Sequence, residues 1–302
     1  MSKVKTLVVK TDMPIRLDRY IRRCFPLVTQ GTIEKAVRKR QIKLNGLKTS
    51  ANTRIVEGDK ITYALGILVL QDNDNTNKIF SKSTFILAKK LLSEYLIYSS
   101  LEFIAIDKPS GLAVQGGSKI NLSIDDALNY LNMAEDKEYK IVHRLDKETS
   151  GILLIANGYS NAAKLSDAFQ KHLIHKTYTA IVFGVPKSLS GNLIHYIGKD
   201  RQGIFETVTE LKEGGKKAET EYKVIRSSNN RSMIEFKPKT GRMHQLRFHS
   251  KFLGCPIIGD KKYGGQKNSR MLLHAKELII EKSVFGSEIK IKSALPQEFD
   301  LL

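Results

Sequence analysis

Several features that would assign this chain to a familiar class of protein are scarce or missing from its 302 residues. Cys24 and Cys255 are its two cysteines, and they lie far apart without the close spacing of a metal site. No apolar run approaches the roughly 20 residues that cross a bilayer. The first residues lack the long apolar segment and the small-residue cleavage site of a signal peptide. We therefore expect a cytoplasmic protein that does not span a membrane.

Sequence motifs of nucleotide-dependent and metal-dependent enzymes are missing as well. The chain has no Walker A motif and no GxGxxG segment that opens a helix after a strand. Its seven histidines show neither the i, i+4 spacing of a zinc protease nor a cluster with a third ligand. HRLDKETSG (143–151) superficially resembles a kinase catalytic loop, but its Asp does not directly follow the Arg, and no Asp-Phe-Gly follows. We therefore expect no metal site.

Positive charge, in contrast, is abundant. The chain has 50 Lys and Arg against 31 Asp and Glu, a net charge of +19. Residues 1–60 alone hold 15 Lys and Arg against 5 Asp and Glu. Because the charge is concentrated in this way, a polyanionic partner such as nucleic acid is favoured over a protein that is merely basic and well hydrated.

The basic N-terminal segment is predicted to form two helices followed by a small antiparallel sheet. Apolar residues recur at helical spacing over 17–25 and again over 32–40, and Asn45-Gly46 is a tight-turn dipeptide after a short alternating run. One charged helix face is usually only solvated, but here both helices and the strands are basic. Residues 14–64 resemble the S4-type (αL) RNA-binding domain, which implies recognition of structured RNA by its shape and backbone charge. The residues expected to bind RNA are Arg19, Arg22, Arg23, Lys35, Arg38, Lys39 and Arg40.

The rest of the chain is predicted to be a linker followed by one larger domain. Residues 66–97 include a polar, turn-rich run and are assigned as the linker between domains at 1–65 and 98–302. Short β-branched and aromatic runs predict strands, while helices are few and do not alternate with them. This pattern indicates an α+β fold whose larger domain has a mostly antiparallel mixed sheet. Ser160 is expected to cap a helix that runs to about His172.

One segment places an acidic group among basic residues beside a predicted core strand. HRLDKETSG runs directly into the apolar residues 152–156, and charged groups beside a core are costly unless they are paired or line a cavity. The alternative is a charged surface loop. An Asp near an Arg keeps its charged form, which suits Asp146 as a nucleophile or base. Tyr178 and Arg247 are further candidates, although each taken alone fits a structural role, as core packing and as a salt bridge.

Six segments, found in the same order as in a known family, resemble the pseudouridine synthases of the RluA type over residues 103–302. With the S4-type domain in front, the arrangement is most similar to the RluC/RluD branch. Met243 is a minor departure, because the family usually has Thr there. The six segments are DKPSGL (107–112), HRLDKETSGILLIA (143–156), HKTYTAIVFG (175–184), KTGRMHQLRFH (239–249), IIGDKKYGG (257–265) and LLHA (272–275).

The resemblance implies isomerisation of uridine to pseudouridine in RNA, without cofactor or metal. Asp146 matches the catalytic aspartate, Arg247 the arginine that holds it, and Tyr178 the tyrosine that stacks on uracil and assists proton removal at C5. Whether Asp146 adds to the base, attacks C1′ or removes a ribose proton stays open. The residues expected to bind substrate are Arg144, which fills the space left by the flipped base, Leu273, which packs on the base, and the motif residues His143, His244 and Gln245.

Two kinds of function remain open from the sequence. The first is an RNA pseudouridine synthase that acts, as a monomer, on structured RNA, foremost 23S ribosomal RNA of the large subunit. The second is a catalytically inactive RNA-binding or ribosome-assembly factor of the same fold. The intact set of Asp146, Tyr178 and Arg247 favours the enzyme, since a protein that had lost catalysis would be free to lose any of the three.

Overall fold

The computed structural model describes residues 4–12, 14–25, 28, 30–64, 80–117, 120–135, 137–200 and 207–300. The chain divides into two compact units, Met1–Ser81 and Lys82–Leu302. No helix in the described ranges is long and apolar enough to cross a membrane.

The N-terminal unit contains the two basic helices and short strands that the sequence predicts. Its helices pack apolar side chains such as Leu17 and Ile33 into one core with the strands. The second helix ends two residues earlier than predicted, because Arg40 adopts a left-handed conformation with a φ of 56°. The elements are β1 (Val4–Val8), β2 (Ile15–Arg16), α1 (Leu17–Cys24), α2 (Gln30–Arg38), β3 (Ile42–Leu44), β4 (Arg54–Ile55) and β5 (Lys60–Ala64). A three-stranded antiparallel sheet has the order β1-β5-β3, and β2 pairs with β4.

The larger unit is built on an 11-stranded mixed sheet, which confirms the predicted α+β fold class. The strands are β6 (Leu96–Ser99), β7 (Phe103–Lys108), β8 (Tyr139–Ile141), β9 (Ser150–Asn157), β10 (Ile174–Phe183), β11 (Ser190–Asp200), β12 (Thr207–Glu210), β13 (Lys216–Ser228), β14 (Arg231–Pro238), β15 (Leu273–Ile280) and β16 (Ile289–Lys292). Their main order in the sheet is β12-β11-β13-β14-β10-β15-β9-β7-β6, with β16 on β15 and β8 on β9. Neighbouring strands are antiparallel except β9 and β15, which run parallel.

Helices cover both faces of the central strands. On β9, Leu153 and Ile155 join a core on one face, while Ile152 and Leu154 join a second core on the other. Burial on both faces explains why this strand is a continuous apolar run rather than an alternating one. The helices are α3 (Lys82–Leu91), α4 (Ile124–Ala134), α5 (Tyr159–Gln170), α6 (Gln245–Phe252) and α7 (Lys282–Phe285).

The predicted linker at residues 66–97 is too long. Its C-terminal part forms α3 and β6, and Leu87, Ala88 and Leu91 of α3 are buried in the same core as α4. The larger unit therefore begins at Lys82 rather than at residue 98, because this helix buries an apolar face that a linker would expose. Residues 65–79, which include the polar run, lie outside the described residues.

One other local prediction differs from the structure. Helix α5 has Gly158 at its N-cap, with a φ of 86°, so Ser160 lies inside the first turn. Strand β15 is irregular where it faces β10, because Tyr178 pairs with Ala275 while Thr177 pairs with Glu277. Lys276 is the extra residue of a β-bulge there, which kinks the strand next to Tyr178.

Candidate active site

All eight residues predicted to act on substrate in the larger unit line one cavity of about 810 Å³. They come from the loop before β9, from β10, from the turn into α6 and from the start of β15. Separate segments that meet at one concave site are what a substrate pocket requires. The eight are His143, Arg144, Asp146, Tyr178, His244, Gln245, Arg247 and Leu273.

Lys108 fixes the backbone of the loop that carries Asp146. This side chain is fully buried, and its Nζ donates to the carbonyl oxygens of Pro109, Leu112 and Lys147 at 2.9, 2.8 and 3.1 Å. Burial lowers the pKa of Lys108 to about 7. The three groups that accept hydrogen bonds from its Nζ are neutral carbonyls rather than carboxylates. The lysine thereby ties DKPSGL to the residue directly after Asp146.

Further contacts seat the same loop on the sheet. The N–H of Thr149 donates to the carbonyl of Asp146 at 3.1 Å, which closes a tight turn. Gly151 has a φ of 105°, and a side chain there would lie within 2.3 Å of the carbonyl oxygen of Ala275. Only glycine permits this approach of β9 to β15, so the motif's last residue sets how closely the two strands meet.

His143 has a structural contact that its predicted substrate-binding role did not anticipate. Its Nε2 accepts a hydrogen bond of 2.8 Å from the N–H of Leu154, and its ring lies 4.7 Å from that of Phe169. Burial, with a further effect of the Lys176 charge, lowers its pKa to about 3. The ring is therefore neutral and holds the loop to β9, and one of its two nitrogens is not available to substrate.

The Arg247 guanidinium lies between two carboxylates. Its Nε and Nη2 donate to Asp260 Oδ2 and Oδ1 at 2.8 and 2.7 Å, whereas Nη1 is 3.8 Å from Asp146 Oδ2. The N–H groups of Lys262 and Tyr263 also donate to Asp260, at 2.9 and 3.2 Å. Burial opposes the charge of Arg247, but the Asp260 carboxylate outweighs it and raises the pKa. A fixed cation therefore faces Asp146.

Tyr178 and Leu273 form the apolar wall of the cavity. Tyr178 is partly buried on β10, and Leu273 on the adjacent β15 is buried opposite Ala180. Burial, followed by the negative charge of Asp146, raises the pKa of Tyr178 well above its ordinary value of 10. The phenol is therefore protonated at neutral pH, and its hydroxyl can donate a hydrogen bond.

Gln245, which the sequence predicts to bind substrate, has its side-chain amide engaged within the protein. Its Oε1 accepts from the Thr240 hydroxyl and the Arg242 N–H at 2.8 and 3.0 Å. Its Nε2 donates to the Glu219 carbonyl and the Thr220 hydroxyl, both at 2.9 Å. All four hydrogen bonds of the amide are thus used within the protein, and Gln245 holds the turn before α6 against β13.

His244 is positioned by Tyr263, a residue that the sequence prediction did not include. Its Nδ1 lies 3.1 Å from the Tyr263 hydroxyl, which also accepts from the N–H of Val208 at 2.8 Å. His244 has a φ of 51°, a conformation uncommon for a residue with a side chain. Burial lowers its pKa to about 4, and the charges of Arg247 and Lys262 act in the same direction. A neutral imidazole therefore lines the cavity.

A protein-family comparison matches residues 102–251 to RNA pseudouridylate synthase. "Ribosomal large subunit pseudouridine synthase C" of Rickettsia bellii is 47% identical over 97% of this chain and 99% of its own length. The protein of the same name from Haemophilus influenzae is 29% identical over 98% and 93%. The chain belongs to the RluA-type RNA pseudouridine synthases. It is thus an isomerase that converts uridine in RNA to pseudouridine, as the sequence predicts.

A solved structure supports the same conclusion for the fold. Human RNA Pseudouridylate Synthase Domain Containing 4 matches with a TM-score of 0.61 and 26% identity, covering 72% of this synthase and 94% of that chain. A second human structure, RNA Pseudouridylate Synthase Domain Containing 1, matches with a TM-score of 0.55 and 26% identity, covering 66% and 82%.

The cavity of the synthase is strongly basic. Among the described residues that line it, six are Lys or Arg, whereas Asp146 is the single Asp or Glu. Arg144 is exposed at its edge, where a guanidinium can both stack on bases and donate hydrogen bonds to them. Within the described ranges, no group of three His, Cys, Asp or Glu side chains is arranged to hold a metal ion.

The N-terminal unit of the synthase presents its cations to solvent. All seven residues predicted to bind RNA are exposed on α1, on α2 or directly after α2. Exposed cations of this kind suit contacts to phosphates, which position an RNA without reading its sequence.

A chain of hydrogen bonds behind the cavity joins three of the motif segments. Arg270 Nη2 donates to Ser150 Oγ, which lies 2.8 Å from His274 Nδ1. His274 Nε2 lies 3.0 Å from Ser293 Oγ, and Ser293 hydrogen bonds to Asp107. Because Ser293 donates its hydroxyl proton to the Asp107 carboxylate, its oxygen accepts from His274 Nε2–H, and Nδ1 of the neutral ring accepts a hydrogen bond from the Ser150 hydroxyl. The chain therefore fixes the tautomer of His274 next to Leu273.

Sequence reasoning missed Lys108, Asp260 and Tyr263. Each lies in a segment that carries the family resemblance, DKPSGL or IIGDKKYGG. The available signal was a charged residue beside an apolar run, as in Ile257-Ile258-Gly259-Asp260, which is costly unless the charge is paired. The sequence gives no indication of which residue is the partner.

Proposed function

We propose that this synthase modifies specific uridines of large-subunit ribosomal RNA. Two observations support the choice of substrate: the relatives named above are called large-subunit pseudouridine synthases, and the chain carries a net charge of +19. The exposed basic helices α1 and α2 then hold structured RNA through its phosphates, as an S4-type domain would.

The observation that carries the proposed mechanism is the placement of Asp146. It is the single Asp or Glu among the described residues that line the cavity, it faces the fixed cation of Arg247 at 3.8 Å, and Tyr178 and Leu273 form the adjacent wall. Since 3.8 Å is too long for a hydrogen bond, the oxygen of Asp146 nearest Arg247 keeps its lone pairs. The cation stabilises negative charge there without occupying the atom that must react.

The reaction breaks the bond from C1′ to N1 and forms a bond from C1′ to C5, after which C5 loses a proton and N1 gains one. We assign Asp146 to the step that frees the base, by addition to the base, attack at C1′ or removal of a ribose proton. Tyr178 stacks on the uracil. Its raised pKa means that it serves as a hydrogen-bonding phenol, and a phenolate base for C5 would require that pKa to fall.

A uridine stacked within RNA must leave its stack to reach Asp146, at a cost of a few kcal/mol. We propose that Arg144, exposed at the edge of the cavity, occupies the vacated space, and that Leu273 packs on the flipped base. His244 contributes a neutral ring nitrogen to the uracil edge. His143 and Gln245 act indirectly, by holding the two loops in place.

Asp146→Asn provides the central test. The variant keeps the shape of the side chain and is expected to bind RNA while forming no pseudouridine. The readout is chemical mapping of pseudouridine in total RNA, including large-subunit ribosomal RNA, from cells that carry the gene, lack it, or express the variant. Sites that persist with Asp146→Asn would contradict the assigned carboxylate, and sites found only outside ribosomal RNA would contradict the assigned substrate.

Arg144→Ala distinguishes base flipping from simple phosphate binding. Turnover is expected to fall more than RNA affinity, because the guanidinium acts after the RNA has bound. Equal losses in both measurements would make Arg144 a phosphate contact. The inactive RNA-binding factor considered from the sequence would show no loss of pseudouridine in any of these variants, since it would form none.

A further inference from the structure

Lys176 is a pocket-lining cation to which the proposed mechanism gives no role. It lies on β10 two residues before Tyr178 and lines the same cavity. Its Nζ is 6.0 Å from the ring centre of Phe169 on α5, and a side chain at Gly241 would come within 3.8 Å of it. The ammonium group therefore stands between α5 and the turn that leads into α6.

Unlike Arg247 and Lys239 of the same cavity, Lys176 has no anionic partner among the described residues. Arg247 is paired with Asp260 at 2.7 Å, and Lys239 lies 3.1 Å from Glu221. Arg242 Nε donates to the carbonyl oxygen of Lys217 at 2.9 Å. Across the described ranges, no carboxylate lies within 4.0 Å of Lys176 Nζ and no protein acceptor binds it.

This arrangement is costly without a ligand. The side chain is partly buried, and burial lowers its pKa, which shows that the surroundings disfavour the ammonium form. A cation that loses part of its hydration usually gains an opposite charge in return. Because the described residues supply none, and because the cavity opens to a polyanionic substrate, the missing partner fits an RNA phosphate.

The contacts of Lys176 place its ammonium group beside Phe169 of α5 and Gly241 of the turn into α6. Its charge also acts on His143. The uracil ring is neutral before reaction, so the charged part of the nucleotide that Lys176 can bind is its phosphodiester backbone.

We propose that Lys176 binds a phosphodiester oxygen adjacent to the target uridine and thereby holds the flipped nucleotide in the cavity. This inference rests on the proposed function in so far as the uridine enters the cavity by flipping. It assigns Lys176 to binding of the reactive nucleotide, which is distinct from the general attraction of RNA by the exposed helices α1 and α2.

The test compares Lys176→Met, Lys176→Arg and wild type, with Lys237→Met as the matched control. Lys237 is an exposed lysine paired with Glu235 at 3.4 Å and does not line the cavity. The substrate uridine is first mapped with wild type on a pool of unmodified ribosomal and transfer RNA transcripts. A synthetic hairpin containing that uridine is then made with ordinary phosphates, or with a neutral methylphosphonate on its 5′ or its 3′ side.

Lys176→Met is expected to lower kcat/KM on the ordinary hairpin by about 10- to 100-fold, which is the range for loss of a hydrogen bond to a charged group. Lys176→Arg should retain most activity, and Lys237→Met should match wild type. On the hairpin with a methylphosphonate at the contacted phosphate, wild type and Lys176→Met should agree within about twofold, because that contact is already lost.

Two results would overturn the inference. One is a Lys176→Met enzyme within about twofold of wild type on the ordinary hairpin. The other is a defect of Lys176→Met that persists undiminished on both methylphosphonate hairpins, since the lysine would then not act through either phosphate. Melting temperatures of the variants control for misfolding, and a misfolded Lys176→Met would be replaced by Lys176→Gln in the same comparison. A substrate uridine found only in transfer RNA refutes the ribosomal assignment but still supplies the hairpin.

Discussion

Asp260→Asn tests the arrangement that places a cation beside Asp146. Asp260 is buried and accepts two charge-assisted hydrogen bonds from Arg247. Asparagine keeps one oxygen for the N–H groups of Lys262 and Tyr263, but its NH₂ group would face the guanidinium with donors on both sides. Removing one partner of a buried ion pair costs about 3–5 kcal/mol, so we expect the free energy of unfolding to fall by about 3 kcal/mol.

The effect on catalysis depends on which carboxylate Arg247 contacts once the Asp260 carboxylate is lost. Without Asp260, the remaining carboxylate within reach is Asp146, now 3.8 Å away. We expect the guanidinium to move towards it and to occupy the oxygen that must react. A displacement of about 1 Å near the reacting groups can cost about 100-fold in rate, so kcat should fall by about that factor with less change in KM.

Urea unfolding and steady-state kinetics on RNA measure the two effects. Asp167→Asn is the control, because Asp167 forms an exposed pair with Lys171 in which the side chains are 56% and 64% accessible. Such a pair contributes about 0.5 kcal/mol or less. An Asp260→Asn protein as stable as this control would refute the energetic reasoning. A destabilised variant with wild-type kcat would refute the claim that Asp260 positions Arg247 for catalysis.

Three further variants test the support of the site and the N-terminal unit. Gly151→Ala should cost about 3 kcal/mol or more in urea unfolding, because its side chain would meet the Ala275 carbonyl at 2.3 Å; Gly31→Ala, with no atom within 4 Å, should be neutral or stabilising. Burial lowers the pKa of His274 from 6.5 to about 4, so the unfolded chain binds its proton more readily, and the stability present above pH 6.5 is lost as the pH falls towards 4. His274→Gln should therefore flatten that loss by up to about 1.4 kcal/mol per pH unit, and an unchanged slope would argue against a neutral buried ring. Deleting residues 1–64 should weaken RNA binding and flatten its salt dependence by roughly 0.7–0.9 log units for each lost phosphate contact, and an unchanged slope would count against an RNA-binding role for this unit.

The sequence predicted the elements whose signal is local. Strands β9 and β10 are continuous apolar or β-branched runs, and α4 follows a regular apolar spacing from Ile124. Strand β11 was missed, although Leu193, His195 and Ile197 point inward in alternation. A histidine in the middle of the inward face conceals the period-two pattern, because its burial depends on the aromatic rings of α6 that cover it.

The sequence also identified the segments that form the site, since all eight predicted substrate residues of the larger unit line one cavity. Their roles in catalysis and binding stay predictions. What sequence alone could not supply was the pairing. Asp260 follows Arg247 by 13 residues and Lys147 follows Lys108 by 39, and such separations are set by the tertiary fold. Gln245 shows the same limit, because the sequence gives no indication that its amide donors bind Glu219 and Thr220 of β13.

The different roles of Asp146 and Asp260 explain why the site contains a buried ion pair. Asp146 is the reacting carboxylate, and Asp260 is the carboxylate that binds Arg247. A lone guanidinium beside Asp146 would form the bidentate pair that arginine and carboxylate prefer, and both carboxylate oxygens would then be engaged. Asp260 takes the fork instead, at 2.7 and 2.8 Å, and leaves Nη1 at 3.8 Å from Asp146. The reacting carboxylate thus keeps an opposite charge nearby without being held by it. A buried ion pair can lower the stability of a protein. Here the same pair keeps one oxygen of Asp146 available to the substrate.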